Sequence, residues 1–154
     1  MISDNKSAVS FSIESIETLS PIKFEETMLY QSISPITVSG LNEYNVLNWL
    51  EPNNPYFAQF MFEELIERWE KVNKKRFDGS REFSFRLLAE PKRKTSGEYL
   101  GRRFVKKCVS YMLKFEITMD VRLQEIAFDL GIGDKVSDGY GYLELLYREK
   151  TTQA

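Results

Sequence analysis

The run Gly131-Ile132-Gly133-Asp134-Lys135-Val136-Ser137-Asp138-Gly139-Tyr140-Gly141 decides how the chain is read. It sets two Gly-x-Gly clamps around a polar tip that carries Lys135. Before it, Leu123, Ile126, Ala127 and Leu130 recur at helical spacing behind a capping Asp120, which predicts a helix over Val121–Leu130. Gly131 falls where a helix C′ glycine belongs. After it, Tyr142 to Tyr147 alternate, which predicts a last strand over Tyr140–Tyr147.

Glycine has no Cβ, so a loop of this kind takes positive φ and lets a bulky anion approach its main-chain N–H groups. The residues leave two readings open. One is a phosphate-contacting loop. The other is a helix cap at Gly131 plus a turn at Asp138-Gly139, which accounts for two of the four glycines. A P-loop is excluded, because it runs from strand to helix and its Lys precedes a hydroxyl residue. The dinucleotide fingerprint is excluded because it opens a helix rather than ending one.

Working outward, the firmest element is a helix from about Pro55 to Lys75. Asn54 can cap it, Pro55 suits its first position, and Phe57, Phe60, Met61, Leu65, Ile66, Trp69 and Val72 make one apolar stripe. Phe11–Leu19 alternates well enough to predict a first strand. Phe24–Ser32 and Ile36–Ser39 predict a strand or hairpin broken at Ser34-Pro35 and closed at Gly40, and Tyr44, Leu47 and Trp49 suggest a short helical turn. Glu82–Ala89 reads as a strand, Pro91–Gly97 as a basic loop, and Arg103–Thr118 as one long strand whose first half has a helical alternative. Strand, helix, strand, strand, helix, strand is the ferredoxin-like (RRM-like) βαββαβ order. It predicts an α+β fold with an antiparallel sheet, two helices on one face and an extra hairpin after the first strand. The expected domain spans residues 11–148, between a flexible N-terminus (1–10) and a flexible tail (149–154).

The 154 residues, 42% hydrophobic, suffice for one core. No apolar run is long enough to span a bilayer, and residues 1–10 lack the apolar stretch of a secretory signal. Together with a single cysteine, Cys108, this predicts a cytoplasmic protein without membrane association. The chain contains no histidine, which removes the usual general base and metal ligand, so no metal or cofactor is expected. Cys108 reads as a small strand residue, and Glu63/Glu64 and Glu25/Glu26 as solvated surface. The net charge of −2 conceals a division. Lys71–Lys107 holds thirteen Lys/Arg against four Asp/Glu, a balance of +9, leaving 8 positive and 19 negative charges elsewhere. Such a segment is either solvated surface or a local track for phosphates.

The glycine run, with its inner Lys135 and Ser137 and its place near the C-terminus, resembles the signature of the CRISPR repeat-processing endoribonucleases of the RAMP superfamily. Ser34-Pro35-Ile36, the Pro52-Asn53-Asn54-Pro55-Tyr56-Phe57 helix entry and the element order resemble the second half of that family. The resemblance covers most of residues 11–147. It implies an RNA-gripping domain for CRISPR repeat (precursor) RNA. Gly131, Gly133, Lys135, Ser137, Gly139, Tyr140 and Gly141 would then contact the RNA, beside a backbone track of Lys92, Arg93, Lys94, Arg102, Arg103, Lys106 and Lys107. Tyr140 would either stack a base or serve the core. The family cleaves without metal, often with a histidine of an N-terminal ferredoxin-like domain. This chain has no histidine and room for one such domain, so no catalytic residue is carried over and cleavage by it alone is not expected. The expected partners are RNA and an N-terminal companion domain or other CRISPR-associated subunits, with a homodimer as an alternative assembly. The competing classes are a non-catalytic assembly module of a CRISPR ribonucleoprotein and a self-sufficient nuclease using Tyr and Lys groups.

Overall fold

The structure is a computed structural model. It describes residues 9–41, 44–45, 47–100 and 103–146, with the main chain alone at 98–100 and 103–106. Its centre is a four-stranded antiparallel sheet made of β1 (Thr27–Ser32), β4 (Ser84–Leu87), β7 (Lys114–Thr118) and β8 (Leu143–Leu145), in the order β4-β7-β1-β8. Helix α1 (Pro55–Asn73) lies between β1 and β4 in sequence, and α2 (Val121–Leu130) between β7 and β8. That is the expected βαββαβ plan, enlarged by two hairpins. β2 (Ser39–Leu41) and β3 (Leu47–Trp49) precede α1, while β5 (Lys92–Leu100) and β6 (Arg103–Met112) stand between β4 and β7.

Both helices form as their end signals dictate. Asn54 accepts a hydrogen bond from the Tyr56 N–H at 3.0 Å, Pro55 opens α1, and Lys74 ends it in a left-handed conformation. Asp120 caps α2 through the Arg122 N–H, and the Gly131 N–H closes it on the Ala127 carbonyl. Their inner faces bury Phe57, Met61, Leu65 and Leu123 against Tyr30, Phe115 and Ile117 of the sheet. One polar group crosses this core. The Tyr30 hydroxyl donates to Gln124 Oε1 at 3.0 Å, and Gln124 Nε2 donates to the Glu26 and Ile117 carbonyls. Every polar atom there has its partner, so burial is tolerated.

The structure corrects several sequence expectations. Residues 9–25 join no described strand. The predicted first strand, Phe11–Leu19, is therefore absent, and β1 takes that place in the fold. The helical turn expected around Tyr44–Trp49 is instead the β2–β3 hairpin, which turns near the left-handed Asn45. The Pro91–Gly97 loop is the first arm of a ribbon. The long Arg103–Thr118 strand divides at Leu113, where it changes partner. Below that point it pairs with β5, and above it with β1 and β4, while Leu113 N–H and C=O are both held by Ser32. The last strand is confined to Leu143–Leu145. The flexible termini expected at 1–10 and 149–154 lie almost wholly outside the described residues. No described helix is long and apolar enough to cross a membrane.

Candidate functional site

The glycine run folds back on itself. The Ile132 N–H donates to the Gly141 carbonyl at 2.9 Å, closing the neck. The Gly141 N–H donates to Pro35 and the Asp134 N–H to Thr37, fastening the loop along the segment that follows β1. At the tip, Val136–Asp138 makes a 3₁₀ turn between two left-handed residues, Lys135 and Gly139, and the Gly139 and Tyr140 N–H groups bond back within it. The amides expected to lie bare for a ligand are thus largely engaged by the protein itself.

The glycines are needed for packing. A Cβ on Gly141 would stand 1.9 Å from the Ile132 carbonyl oxygen, and one on Gly133 would stand 2.5 Å from that of Thr37. Gly131 is only slightly less confined, at 3.0 Å from the Gly141 oxygen. Gly139 alone among the four opens to space, with nothing within 4 Å. The Arg68 guanidinium of α1 bridges two main-chain carbonyls of the neck. Nη1 reaches the Gly131 carbonyl at 2.6 Å and Nη2 the Gly133 carbonyl at 3.0 Å.

The tip meets the basic ribbon. The Tyr140 hydroxyl and Ser96 Oγ are 2.8 Å apart, bridging loop to β5. A 300 Å³ cleft there is lined by Pro35, Lys94, Thr95, Ser96, Ser110, Asp138, Gly139 and Tyr140. Lys94 also lines an adjoining 480 Å³ depression with Lys92, Lys114 and the acidic Glu90 and Glu144. Strand geometry divides the predicted basic cluster. Lys92, Lys94 and Ser96 share one face of β5, whereas Arg93 is on the opposite face, across from Tyr111. Lys107, opposite Gly97, falls on Arg93's side, and its carbonyl accepts from Trp49 Nε1 at 2.9 Å. Lys135 leans the same way, its Nζ 5.7 Å from the Trp49 ring centre, rather than into the cleft. Ser137 is exposed at the tip. Arg103 and Lys106 are placed on β6 by main chain only, and Arg102 lies outside the described residues.

Four contributors were not foreseen. Strand pairing alone brings Ser96 and Ser110 to the cleft and Lys114 to the adjoining depression, and Arg68 holds the loop from a helix whose pattern marks it only as Glu64's i,i+4 partner. Among the described residues no group of His, Cys, Asp and Glu is arranged to hold a metal.

A carboxyl pair locks the loop to α1 and β2. Asp134 Oδ2 accepts from the Ser39 N–H at 2.7 Å and from the Ser39 hydroxyl. Glu64 shares a hydrogen bond with Asp134. Its burial, that bond and the Asp134 charge push its pKa from 4.5 up to about 8, outweighing Arg68, whose Nη2 is 3.5 Å away. A carboxyl group raised in this way binds its proton more tightly folded than unfolded. Its contribution is fully present below the unfolded value and is lost as pH rises through about 8. Glu64 is 35% exposed, so solvent screening reduces the amplitude. Replacing it by Gln, which keeps a donor toward Asp134, should leave the melting temperature near wild type at pH 5 and above it at pH 8.5. A difference that stays constant across that range would refute the shared proton.

A family model described as "CRISPR associated protein Cas6, C-terminal" matches residues 9–145. No curated protein matches the sequence. Among solved structures, a Cas6-related protein from Pyrococcus furiosus superposes with a TM-score of 0.72 at 16% identity, over 89% of this chain and 55% of that one. A CRISPR-associated protein Cas6 gives 0.65 at 22%, over 84% and 52%. A RAMP protein described as binding different RNA substrates gives 0.66 at 20%, also over 84% and 52%. The chain therefore spans about half the length of these structures, and at such identities they share its fold. The match over residues 9–145 shows that the chain belongs to the Cas6 family of CRISPR-associated proteins, through that family's C-terminal domain.

Proposed function

We propose that this chain binds CRISPR repeat (precursor) RNA as the RNA-gripping, C-terminal-type domain of a repeat-processing endoribonuclease. One observation carries the reading. The tip of the glycine run, far along the chain from the basic ribbon, is joined to it at Tyr140 and Ser96, beside Lys94. In this reading Lys92, Lys94 and Lys114 meet phosphates, and the Ser96, Ser110 and Ser137 hydroxyls supply neutral donors. Gly139 admits a ribose-phosphate where a side chain would stand in the way. Gly131, Gly133 and Gly141 act by shaping the loop, and no residue is assigned to bond cleavage.

The test is fluorescence anisotropy with a labelled repeat-derived RNA across a salt series. The logarithm of affinity should fall linearly with the logarithm of salt, and Lys94→Glu should flatten that slope by roughly 0.7–1 while weakening all sequences alike. Binding that is absent at low salt, or insensitive to salt, refutes the reading. The internal pairing of the loop amides favours a second reading, a non-catalytic assembly module of a CRISPR ribonucleoprotein. Light scattering separates the two, since a module of that kind gains mass with protein partners and not with RNA.

A further inference from the structure

Dividing the basic residues between two faces of the ribbon leaves Arg93, Lys107 and Lys135 away from the cleft at Tyr140 and Ser96. They surround a different feature. A 710 Å³ depression lies where β3 and the β3–α1 connection meet β6, walled by Trp49, Leu50, Tyr56 and Val109. Its size falls within the roughly 300–1,000 Å³ range of small-molecule sites. Val109 shares the ribbon face that carries Arg93. The Lys107 carbonyl fixes the Trp49 indole through Nε1, and Lys135 Nζ stands over the same ring. Tyr56 is 57% exposed and stacks on Phe60 at 5.7 Å, with 24° between the rings. Phe60 lines the neighbouring depression and not this one, so the other face of Tyr56 is open. Asn48 and Asn53 add exposed amides, and Glu51 adds a carboxylate. Burial and the Glu51 charge hold the Tyr111 phenol above its usual range, while Arg93 opposes them, so both charges reach this corner of the ribbon. A carboxylate repels phosphate, so a plain backbone track does not account for this lining.

We propose that the depression takes an unpaired guanine of a single-stranded RNA segment, with Glu51 accepting from its N1–H and N2–H and Arg93 and Lys107 meeting the flanking phosphates. An ionised carboxylate only accepts hydrogen bonds. Of the four RNA bases, guanine alone offers two neighbouring donors on its Watson–Crick edge, so a carboxylate selects it. Unpaired RNA bases are read in this manner, stacked on aromatic rings and hydrogen-bonded along that edge. Tyr56 stacks the base with Phe60 as its backing, and the Asn48 and Asn53 amides supply donors for O6. The inference rests on the RNA-binding reading and adds base selectivity to it. The ribbon then carries phosphates on its Lys92 and Lys94 face and a base beside the other.

The experiment measures anisotropy of labelled uridine decamers carrying a central guanine, inosine, adenine or cytosine, at one low salt concentration. The guanine oligomer should bind about fivefold or more tighter than those with adenine or cytosine. Inosine, which keeps N1–H and lacks the N2 amine, should fall between them. Glu51→Ala should abolish the preference by weakening guanine while slightly strengthening adenine and cytosine, because a negative charge is removed; a purely electrostatic role would strengthen all four. Tyr56→Ala should weaken the guanine oligomer about fivefold or more. Both side chains are exposed, so both variants should keep the wild-type melting temperature. Lys94→Glu should weaken all four alike and leave the preference intact. Equal affinities with a normal salt dependence, or a preference for another base, overturn the guanine site and leave the RNA-binding reading standing. A guanine preference that survives Glu51→Ala also overturns it. Binding of none of the four at low salt refutes both.

Discussion

Alanine at Gly141 should unfold the chain far more readily than alanine at Gly139, although the two glycines are two residues apart and both have positive φ, +80° and +93°. Each substitution incurs the left-handed penalty of an L-residue, roughly 1–2 kcal/mol. At Gly139 the cost stops there, because no atom lies within 4 Å of the new methyl. At Gly141 the methyl lands on the Ile132 carbonyl, whose own N–H closes the loop neck, so neck and methyl cannot coexist. Overpacking of that kind adds roughly 1–3 kcal/mol, giving about 2–5 kcal/mol in all. Gly133→Ala should resemble Gly141→Ala, since it opposes the equally fixed Thr37 carbonyl. Urea midpoints at unchanged slope measure the series. Equal, small losses at all three positions would mean that the loop is loose and that its glycines are not there for packing. Gly139→Ala is also the variant that separates folding from binding. It should keep most of the stability and still weaken RNA binding, because the tip would no longer admit a close ribose-phosphate.

The parts of the fold legible in the sequence are those whose cause is local. Asn54-Pro55 and Asp120 start helices through their own side chains, and the apolar stripe of α1 reports directly on the face it buries. The elements that escaped depend on partners distant in the chain. Phe11–Leu19 carries a strand's alternation, but alternation states which side chains want cover and not who provides it. Lys92–Ser96 is exposed on both faces of the ribbon, so it has no apolar rhythm to reveal that it is a strand. The break at Leu113 comes from Ser32, which captures both of its main-chain groups across the core. The candidate site divides in the same way. The four glycines stand out in the sequence, yet the atoms that forbid a side chain at Gly133 belong to Thr37, nearly a hundred residues earlier. Grouping Lys92, Arg93 and Lys94 as one basic cluster fails because a strand sends neighbours to opposite faces.

Arg68 is where that hidden dependence should have its second-largest effect. Its guanidinium is 14% exposed and donates to two buried carbonyls, those of Gly131 and Gly133, in a fork that matches their spacing. Arg68→Ala leaves both acceptors without the donor that satisfies them. Hydrogen bonds to a charged group contribute roughly 1.5–3 kcal/mol each and are not additive within one fork, so a loss of about 3 kcal/mol is expected. Arg68→Lys restores the charge but can reach only one carbonyl well, and should recover about half of that loss. Hydrogen exchange distinguishes a tether from a general core defect. The amides of Ile132, Asp134 and Gly141 should lose protection well before those in the middle of α1. Because Arg68 itself holds the neck, any accompanying fall in RNA affinity would come from a displaced tip and not from a lost phosphate contact, so the salt slope should stay that of wild type. A slope flattened as much as by Lys94→Glu would place Arg68 on the RNA, and an Ala variant within about 0.5 kcal/mol of wild type would remove it from the loop's support altogether.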